Sequence, residues 1–101
     1  MSSSREDIIN ETLEKAVGEI IEQLPSMKQA FLNPTYDLNR TVENEPDFLL
    51  GAFCACILER CGAYLWRRQI YPTLEESAFI SHQVFSRASE FKDRIGKSIG
   101  L

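Results

Sequence analysis

The chain has 101 residues, of which 44% are hydrophobic and 26% are charged, and its formal net charge at pH 7 is −4. This length and composition are typical of one globular domain and exclude an intrinsically disordered chain. The charge is divided unevenly, with a net −6 over residues 1–50 and a net +2 over residues 51–101. Because the first half is acidic, the chain is a poor electrostatic match for a nucleic-acid backbone.

The amino-terminal residues do not resemble a targeting signal. Residues 1–4 are expected to be disordered, and the opening MSSSREDII is neither basic nor followed by a hydrophobic stretch. The longest uncharged apolar run, Phe48 to Leu58, has eleven residues, whereas a bilayer-spanning helix needs roughly 18–20. We therefore expect a cytoplasmic protein that does not cross a membrane.

The first long helix is predicted after Ser4, a capping residue that is followed by two acidic residues. Apolar residues recur every three or four positions from Ile9 to Leu24, and glutamates occupy the opposite face. This pattern predicts an amphipathic helix of about five turns that ends at Pro25. Ser26 is expected to cap a short second helix over residues 27–32.

Residues 33–43 show no apolar periodicity and begin at an Asn-Pro pair, which disfavours a helix. They are therefore predicted to form a long loop, and loops of this length in small domains tend to be functional. The second long helix is predicted from Asn44-Glu45-Pro46-Asp47, where a capping asparagine precedes a proline in the first turn. It is expected to reach about Ile70, since Tyr71-Pro72 follows.

The central helix is unusual because its segment Phe48–Leu58 is apolar on all sides. Such a pattern is typical of a helix that is buried on every face. Only two other long helices are predicted, so part of its cover must come from elsewhere. Small residues at Gly51, Ala55 and Gly62, together with Leu58, would permit a close neighbour. A second copy is the simplest source, and these four residues form the predicted dimer interface.

The three cysteines, Cys54, Cys56 and Cys61, all lie on this helix. With a rise of 1.5 Å per residue, Cys54 and Cys61 are about 10.5 Å apart along the axis, too far for a disulfide or a shared zinc ion. Cys56 points about 160° away from Cys54 around the axis. No metal site is therefore predicted from the cysteines, and Cys54 and Cys61 are expected to pack in the core.

The last long helix begins with a capping box formed by Thr73 and Glu76. Apolar residues recur with helical spacing from 74 to 95, and Gly96 is typical of a C-terminal cap. Residues 97–101 are expected to form a tail. Because the turn before this helix is short, the central and last helices should be antiparallel neighbours.

One candidate ligand site follows from this hairpin. Residues whose numbers sum to about 143 lie at the same level, which places Cys61 near His82, with Glu59 close by. A thiol, an imidazole and a carboxylate could bind a metal or a small molecule, or act as a nucleophile and base. The alternative is a packed cysteine and an isolated surface histidine.

A second candidate site consists of the basic residues Arg67, Arg68 and Arg87, the first two of which lie beside aromatic residues. Such a cluster can bind an anion or nucleic acid. The alternative is that Arg67 and Arg68 form ion pairs across the turn with Glu75 and Glu76.

Together these features predict one all-α domain over residues 1–101: a small bundle of three long helices and one short helix, with the central helix buried and the bundle completed by dimerisation. No motif indicates an enzyme, a cofactor or a metal centre. The expected function is a non-catalytic protein–protein interaction module, homodimeric, that binds another protein through its acidic first helix or the 33–43 loop. The alternative is a small-molecule or metal site between the central and last helices.

Overall fold

The computed structural model describes residues 4–31 and 45–99, and this part of the chain is helical throughout apart from short turns. The predicted all-α class is confirmed. The predicted loop 33–43, the Asn44 cap and the chain ends at 1–3 and 100–101 lie outside the described residues. The helices are α1 (Arg5–Glu22), α2 (Leu24–Phe31), α3 (Glu45–Arg67), α4 (Leu74–Ser86) and α5 (Ala88–Ile99).

Two predicted helix starts are confirmed by their capping boxes. The Ser4 side chain accepts a hydrogen bond from the Asp7 backbone N–H, and the Asp7 carboxylate accepts one from the Ser4 N–H. Thr73 and Glu76 form the same reciprocal pair at the start of α4. These local hydrogen bonds satisfy N–H groups that a helix leaves without partners in its first turn.

The boundary between α1 and α2 differs from the prediction. Helix α1 ends at Glu22, and α2 begins at Leu24, so Pro25 lies in the first turn of a new helix and does not end the old one. Proline is tolerated there because the first N–H groups of a helix have no intrahelical partner. Ser26 consequently lies inside α2 and does not cap it.

The predicted last helix is two helices. The backbone at Arg87 leaves the helical conformation, with φ −99° and ψ 14°, and α5 starts at the next residue. Neither proline nor glycine stands at this position, so the sequence carries no signal for the break. Helix α5 then continues through Gly96 to Ile99, so Gly96 is not its cap and the predicted tail at 97–101 is helical up to residue 99.

The end of α3 is a Schellman turn built on a residue other than glycine. Gln69 has φ 60°, in the left-handed region. Its N–H donates to the Trp66 carbonyl (2.8 Å), and the Ile70 N–H donates to the Leu65 carbonyl (2.8 Å). Ile70 packs against the core, which supplies the hydrophobic contact that accompanies this motif. Helix α3 therefore stops at Arg67, slightly before the expected Ile70.

The relative directions of the helices follow from side-chain pairs. Glu19 of α1 and Gln23, which follows the end of α1, contact Arg60 of α3. Glu19 also meets Tyr64, one turn further along α3, so α1 and α3 are antiparallel. Two ion pairs, Arg5–Glu76 and Glu14–Arg87, both at 2.6 Å, show that α1 runs parallel to α4. Helices α1, α3 and α4 form a bundle, and α3 also contacts α5.

The core is centred on α3, which contacts each of the other four helices of the described chain. Phe53, Ile57, Cys61 and Leu65 are fully buried along one side of α3, and the Phe53 ring lies 4.9 Å from the ring of Phe91 on α5. The central position of α3 and the burial of Cys54 and Cys61 agree with the sequence. The expectation of burial on every face does not hold among the described residues, because their helices leave one side of α3 exposed.

By length and composition alone, Asp47–Arg67 would be long and apolar enough to cross a membrane, with a mean hydropathy of 1.6. A helix at the centre of a bundle meets the same criteria. Here 33% of the apolar window is buried inside the domain, and the buried side carries the core residues of α3.

Replacing Gln69 with glycine is expected to stabilise the domain by about 0.5–1 kcal/mol, because a side chain disfavours the left-handed backbone that glycine adopts freely. Urea unfolding of Gln69→Gly and of the parent chain measures this difference. Gln69→Ala is the matched control: alanine keeps a Cβ and should bring no comparable gain. Equal stabilisation by both substitutions would contradict the explanation.

Candidate interaction surface

One side of α3 is exposed, and we call it the open face. Five of its six members carry no charge, and the exception is Glu59. At 100° per residue, the whole face occupies a sector of about 120° on the side away from the core. Its complete membership is Gly51, Ala55, Glu59, Gly62, Ala63 and Trp66, all exposed except Gly62, which is half-buried.

The predicted interface residues belong to this region. Gly51, Ala55, Leu58 and Gly62 fall within about 60° of one another around the helix axis. Gly51 and Ala55 are exposed, and Leu58 and Gly62 are half-buried at the edge toward α4. The residues that were grouped from their small size thus share one side of α3, and that side is not covered by another helix of the described chain.

The glycines of the open face have empty space beside them. A Cβ atom added at Gly51 or at Gly62 would have no other atom within 4 Å. Close packing against another described helix therefore does not account for them, although each costs the helix about 1 kcal/mol relative to alanine. Gly18 on α1 is also exposed and also has no neighbour within this distance, which makes it a natural comparison.

Large apolar side chains are exposed where the open face ends. Trp66 is 66% exposed, Tyr71 54% and Leu74 88%. The rings of Trp66 and Tyr71 pack edge to face, with centroids 5.0 Å apart. Large exposed aromatic residues beside an apolar surface are characteristic of contact sites, because a partner would remove much apolar area from water.

The edge of the open face toward α1 carries a polar cluster centred on Glu19. Its carboxylate accepts hydrogen bonds from the Tyr64 hydroxyl and from Arg60 (3.4 Å), which also donates to Gln23 (3.2 Å). Lys15 lies over the Tyr64 ring, 4.6 Å from its centroid. The hydrogen bond from Tyr64 lowers the pKa of Glu19, and the same hydrogen bond raises the pKa of Tyr64. The cluster fixes α1 against α3.

A groove runs beside this cluster. Its volume is ≈ 450 Å³, and its walls include Cys56, Ala63 and Arg67. On the other edge, toward α4, a smaller groove of ≈ 190 Å³ is lined by Leu58, Gly62, Pro72, Ser77, Ile80 and Ser81. The smaller groove lies below the roughly 300–1,000 Å³ that is usual for a small-molecule site. Both grooves extend the open face sideways, so the surface available to a partner is wider than α3 alone.

The three residues of the predicted ligand site lie in different environments. Cys61 is fully buried in the core, whereas Glu59 and His82 are exposed. Residues two apart on a helix point about 160° away from each other, so Glu59 cannot share a site with Cys61. Burial also raises the pKa of the Cys61 thiol to about 11, which keeps it protonated and weakly nucleophilic at neutral pH.

The described residues contain no group of three or more His, Cys, Asp or Glu side chains that could hold a metal ion. All three cysteines are free thiols. The smaller groove lies between α3 and α4, close to the predicted ligand site, but neither Cys61 nor His82 lines it. Pairing residues by their level along two helices does not determine which faces point together.

The three predicted basic residues do not form one site. Arg67 and Arg68 are exposed at the end of α3, with Arg67 over the Tyr64 ring at 5.6 Å. Arg87 lies at the break between α4 and α5 and forms ion pairs with Glu14 (2.6 Å) and Glu90 (2.7 Å). The carboxylates already neutralise Arg87, so it has little charge to offer an anion.

The alternative prediction, in which Arg67 and Arg68 form ion pairs with Glu75 and Glu76, is wrong for Glu76. Glu76 pairs with Arg5 of α1 at 2.6 Å and not with an arginine of α3. This ion pair lowers the pKa of Glu76. The contact between residues 5 and 76 depends on the packing of α1 beside α4. The prediction paired Glu76 with arginines that are closer to it in the sequence.

Two features of this surface were absent from the sequence prediction. The Glu19 cluster joins residues more than 35 positions apart, so no local pattern marks it. Trp66 had a detectable signal, because it lies within about 60° of Gly51 around the helix axis.

The chain matches no protein-family model, no curated protein and no solved structure. Inference about its function therefore depends on the physical character of its surface.

Replacing Tyr64 with phenylalanine is expected to destabilise the domain near neutral pH, because it removes the hydrogen bond to Glu19. In the folded state the pKa of Glu19 is lowered and that of Tyr64 is raised. The stabilisation is therefore present above the ordinary Glu pKa of 4.5 and below the ordinary Tyr pKa of 10.0. It is lost as Glu19 is protonated in acid and as Tyr64 ionises in base.

Urea unfolding of Tyr64→Phe and of the parent chain, measured from about pH 3 to about pH 11 to span both titrations, should show the largest difference between these limits. Tyr71→Phe leaves the Glu19 hydrogen bond in place and serves as the control. A difference that does not change with pH would show that Tyr64 acts only through packing.

Proposed function

We propose that this chain is a non-catalytic helical protein–protein interaction module that acts as a homodimer joined through the open face of α3. The observation that carries the proposal is a largely apolar helix face of small residues that the described part of the chain leaves exposed and that ends at an exposed tryptophan. When a partner covers an exposed hydrophobic side chain, apolar surface is removed from water, and this stabilises the complex.

The size of the surface determines which elements take part. From Gly51 to Trp66 the open face is about 22 Å long, at 1.5 Å per residue, and with a helix width of about 10 Å it offers roughly 220 Å². A standard stable interface buries about 800 Å² per partner. Helix α3 can therefore supply the centre of an interface but not all of it. The rim would come from the α4 groove and from Tyr71 and Leu74, which are exposed nearby.

The absence of catalysis is part of the proposal. The strongest nucleophile candidate, Cys61, is buried and has a raised pKa, and His82 lies apart from it on the surface. Free thiols at all three cysteines suit a reducing compartment, and we propose that the module works in the cytoplasm.

We also propose that the dimer binds a second protein through the acidic side of α1 or through the 33–43 segment. On α1, Glu11 and Glu22 are exposed, whereas Glu14 is paired with Arg87 and Glu19 with Arg60. The exposed carboxylates favour a partner with a basic surface, through complementarity that speeds association and selects orientation.

Replacing Gly51 with leucine is expected to dissociate the homodimer, raising its dissociation constant by about tenfold or more, because the new side chain would occupy the space a second copy needs. The fold should be preserved or stabilised, since the position is open and leucine is the better helix former. Sedimentation equilibrium measures the dimer, and thermal unfolding by circular dichroism checks the fold.

Gly18→Leu is the matched control, because Gly18 is also an exposed helical glycine without neighbours. It should leave the dimer intact. A chain that sediments as a monomer at high concentration, or a Gly51→Leu variant that dimerises as well as the parent, would contradict the proposed function.

Reversing the exposed charges with Glu11→Lys and Glu22→Lys is expected to weaken capture of the second protein without affecting the homodimer. Pull-down from the chain's own cells, with bound proteins quantified by mass spectrometry at two salt concentrations, measures the effect. Charge-mediated binding should also decrease as salt increases. A partner that the parent chain and the charge-reversed variant retain equally would show that the binding site is not on α1.

A further inference from the structure

We infer that the α3 helices of the two copies pack antiparallel about a two-fold axis that passes between Leu58 and Glu59. Trp66 of each copy then packs against Gly51 on the open face of the other copy. This inference rests on the proposed homodimer and specifies its geometry. It follows from the order of residue sizes along the open face, which is small at one end and large at the other.

The register follows from the positions of the residues. If the axis passes between residues 58 and 59, the N-terminal end of the open face in one copy lies level with the C-terminal end of the open face in the other copy. Trp66 is then level with Gly51 of the other copy, and Ala55 is level with Gly62 of the other copy. Each of the two glycines therefore receives a side chain from the second chain.

Shape favours this arrangement over a parallel one. The space beside Gly51 is empty, and Trp66 is 66% exposed. In a parallel pair, the two Trp66 rings would meet and force one end of the helices apart, while two Gly51 residues at the other end would leave a gap. In an antiparallel pair, a large residue meets a small one at both ends, which allows close packing along the whole face.

Charge favours it as well. The C-terminal end of α3 carries Arg67 and Arg68, and Asp47, which is exposed and pairs with Lys92 of α5, lies near its N-terminal end. A parallel pair would bring the arginines of both copies together, whereas an antiparallel pair keeps them at opposite ends of the interface. The helix dipoles also oppose each other in an antiparallel pair, which is the favourable orientation.

The two edges of the interface would then differ. A two-fold axis of this kind keeps equivalent residues on the same side, so the two Leu58 side chains meet at the edge toward α4, where Leu58 lines the smaller groove with Ile80. The two Glu59 residues meet at the opposite edge, beside the groove that contains Arg60 and Arg67. Leu58 thus supplies the apolar contact at the axis.

Disulfide cross-linking distinguishes the two orientations. Glu59→Cys, Ala55→Cys and Gly62→Cys are each made in a Cys56→Ser background, because Cys56 is half-buried whereas Cys54 and Cys61 are buried. Position 59 lies next to the axis, so the thiol introduced by Glu59→Cys should link to the thiol at the same position of the other copy under mild oxidation. Two Ala55→Cys chains would be displaced by about 10.5 Å along the axis, beyond the reach of a disulfide.

The expected result is a covalent dimer with Glu59→Cys alone, none with Ala55→Cys alone, and a mixed dimer when Ala55→Cys and Gly62→Cys chains are combined. A covalent dimer of Ala55→Cys alone, without the mixed product, would show parallel helices and overturn the inference while leaving the homodimer proposal intact. A dimer in solution that none of these cysteines links would overturn both the register and the use of the open face.

The fluorescence of Trp66, the sole tryptophan of the chain, gives an independent measurement. Its emission should shift to shorter wavelength as concentration rises and the ring becomes buried at the interface. The shift should coincide with the monomer–dimer transition seen by sedimentation and should be lost in Gly51→Leu but not in Gly18→Leu. If the chain does not dimerise at any concentration, the proposed function fails. If it dimerises while Trp66 remains exposed, the register alone fails.

Discussion

The structure depends on the packing of α3, whose apolar residues surround the helix while the other described helices leave one of its sides exposed. Phe53, Ile57, Cys61 and Leu65 form the buried stripe against which the other helices pack. A helix in a bundle of this size has neighbours around only part of its circumference. The remaining sector therefore stays at the surface, and its residues are uncharged with the exception of Glu59.

This division of α3 also controls the chemistry of the domain. The buried side contains Cys61, whose raised pKa makes the thiol unreactive, and the polar side chains are displaced to the edges. There they fasten the helices together, as Glu19 does with Arg60 and Tyr64, and as Arg87 does with Glu14. Charged groups of this chain thus connect its own helices, and the open face remains largely apolar.

Local features were predicted well because they depend on neighbouring residues. The capping boxes at Ser4 and Thr73 require only a short side chain and an acidic residue three positions later. The end of α3 at Gln69 and the break at Arg87 were missed because neither residue is a typical helix terminator. Pro25 was misjudged for a related reason, since a proline can end one helix or open the next.

For the candidate site, too, the sequence predicted what depends on one helix and not what depends on the packing between helices. The sequence predicts one interface at Gly51, Ala55, Leu58 and Gly62 from the small size of three of them, and helical periodicity places all four on one side of the helix. It also excluded a shared site for the three cysteines, since their axial separation depends on the helix alone. The pairing of Cys61 with His82 required knowledge of how two helices rotate against each other, which periodicity does not contain.

The amino-acid sequence by itself therefore determined the helical class, the helix starts at Ser4 and Thr73, and the apolar character of α3. Only the tertiary structure decided which side of α3 is buried, that Arg5 pairs with Glu76, and that the space beside Gly51 and Gly62 is empty. The physical reason is that a helix forms through hydrogen bonds between residues four apart, which sequence patterns record directly. The exposure of a face depends instead on how many other helices the chain can place around it.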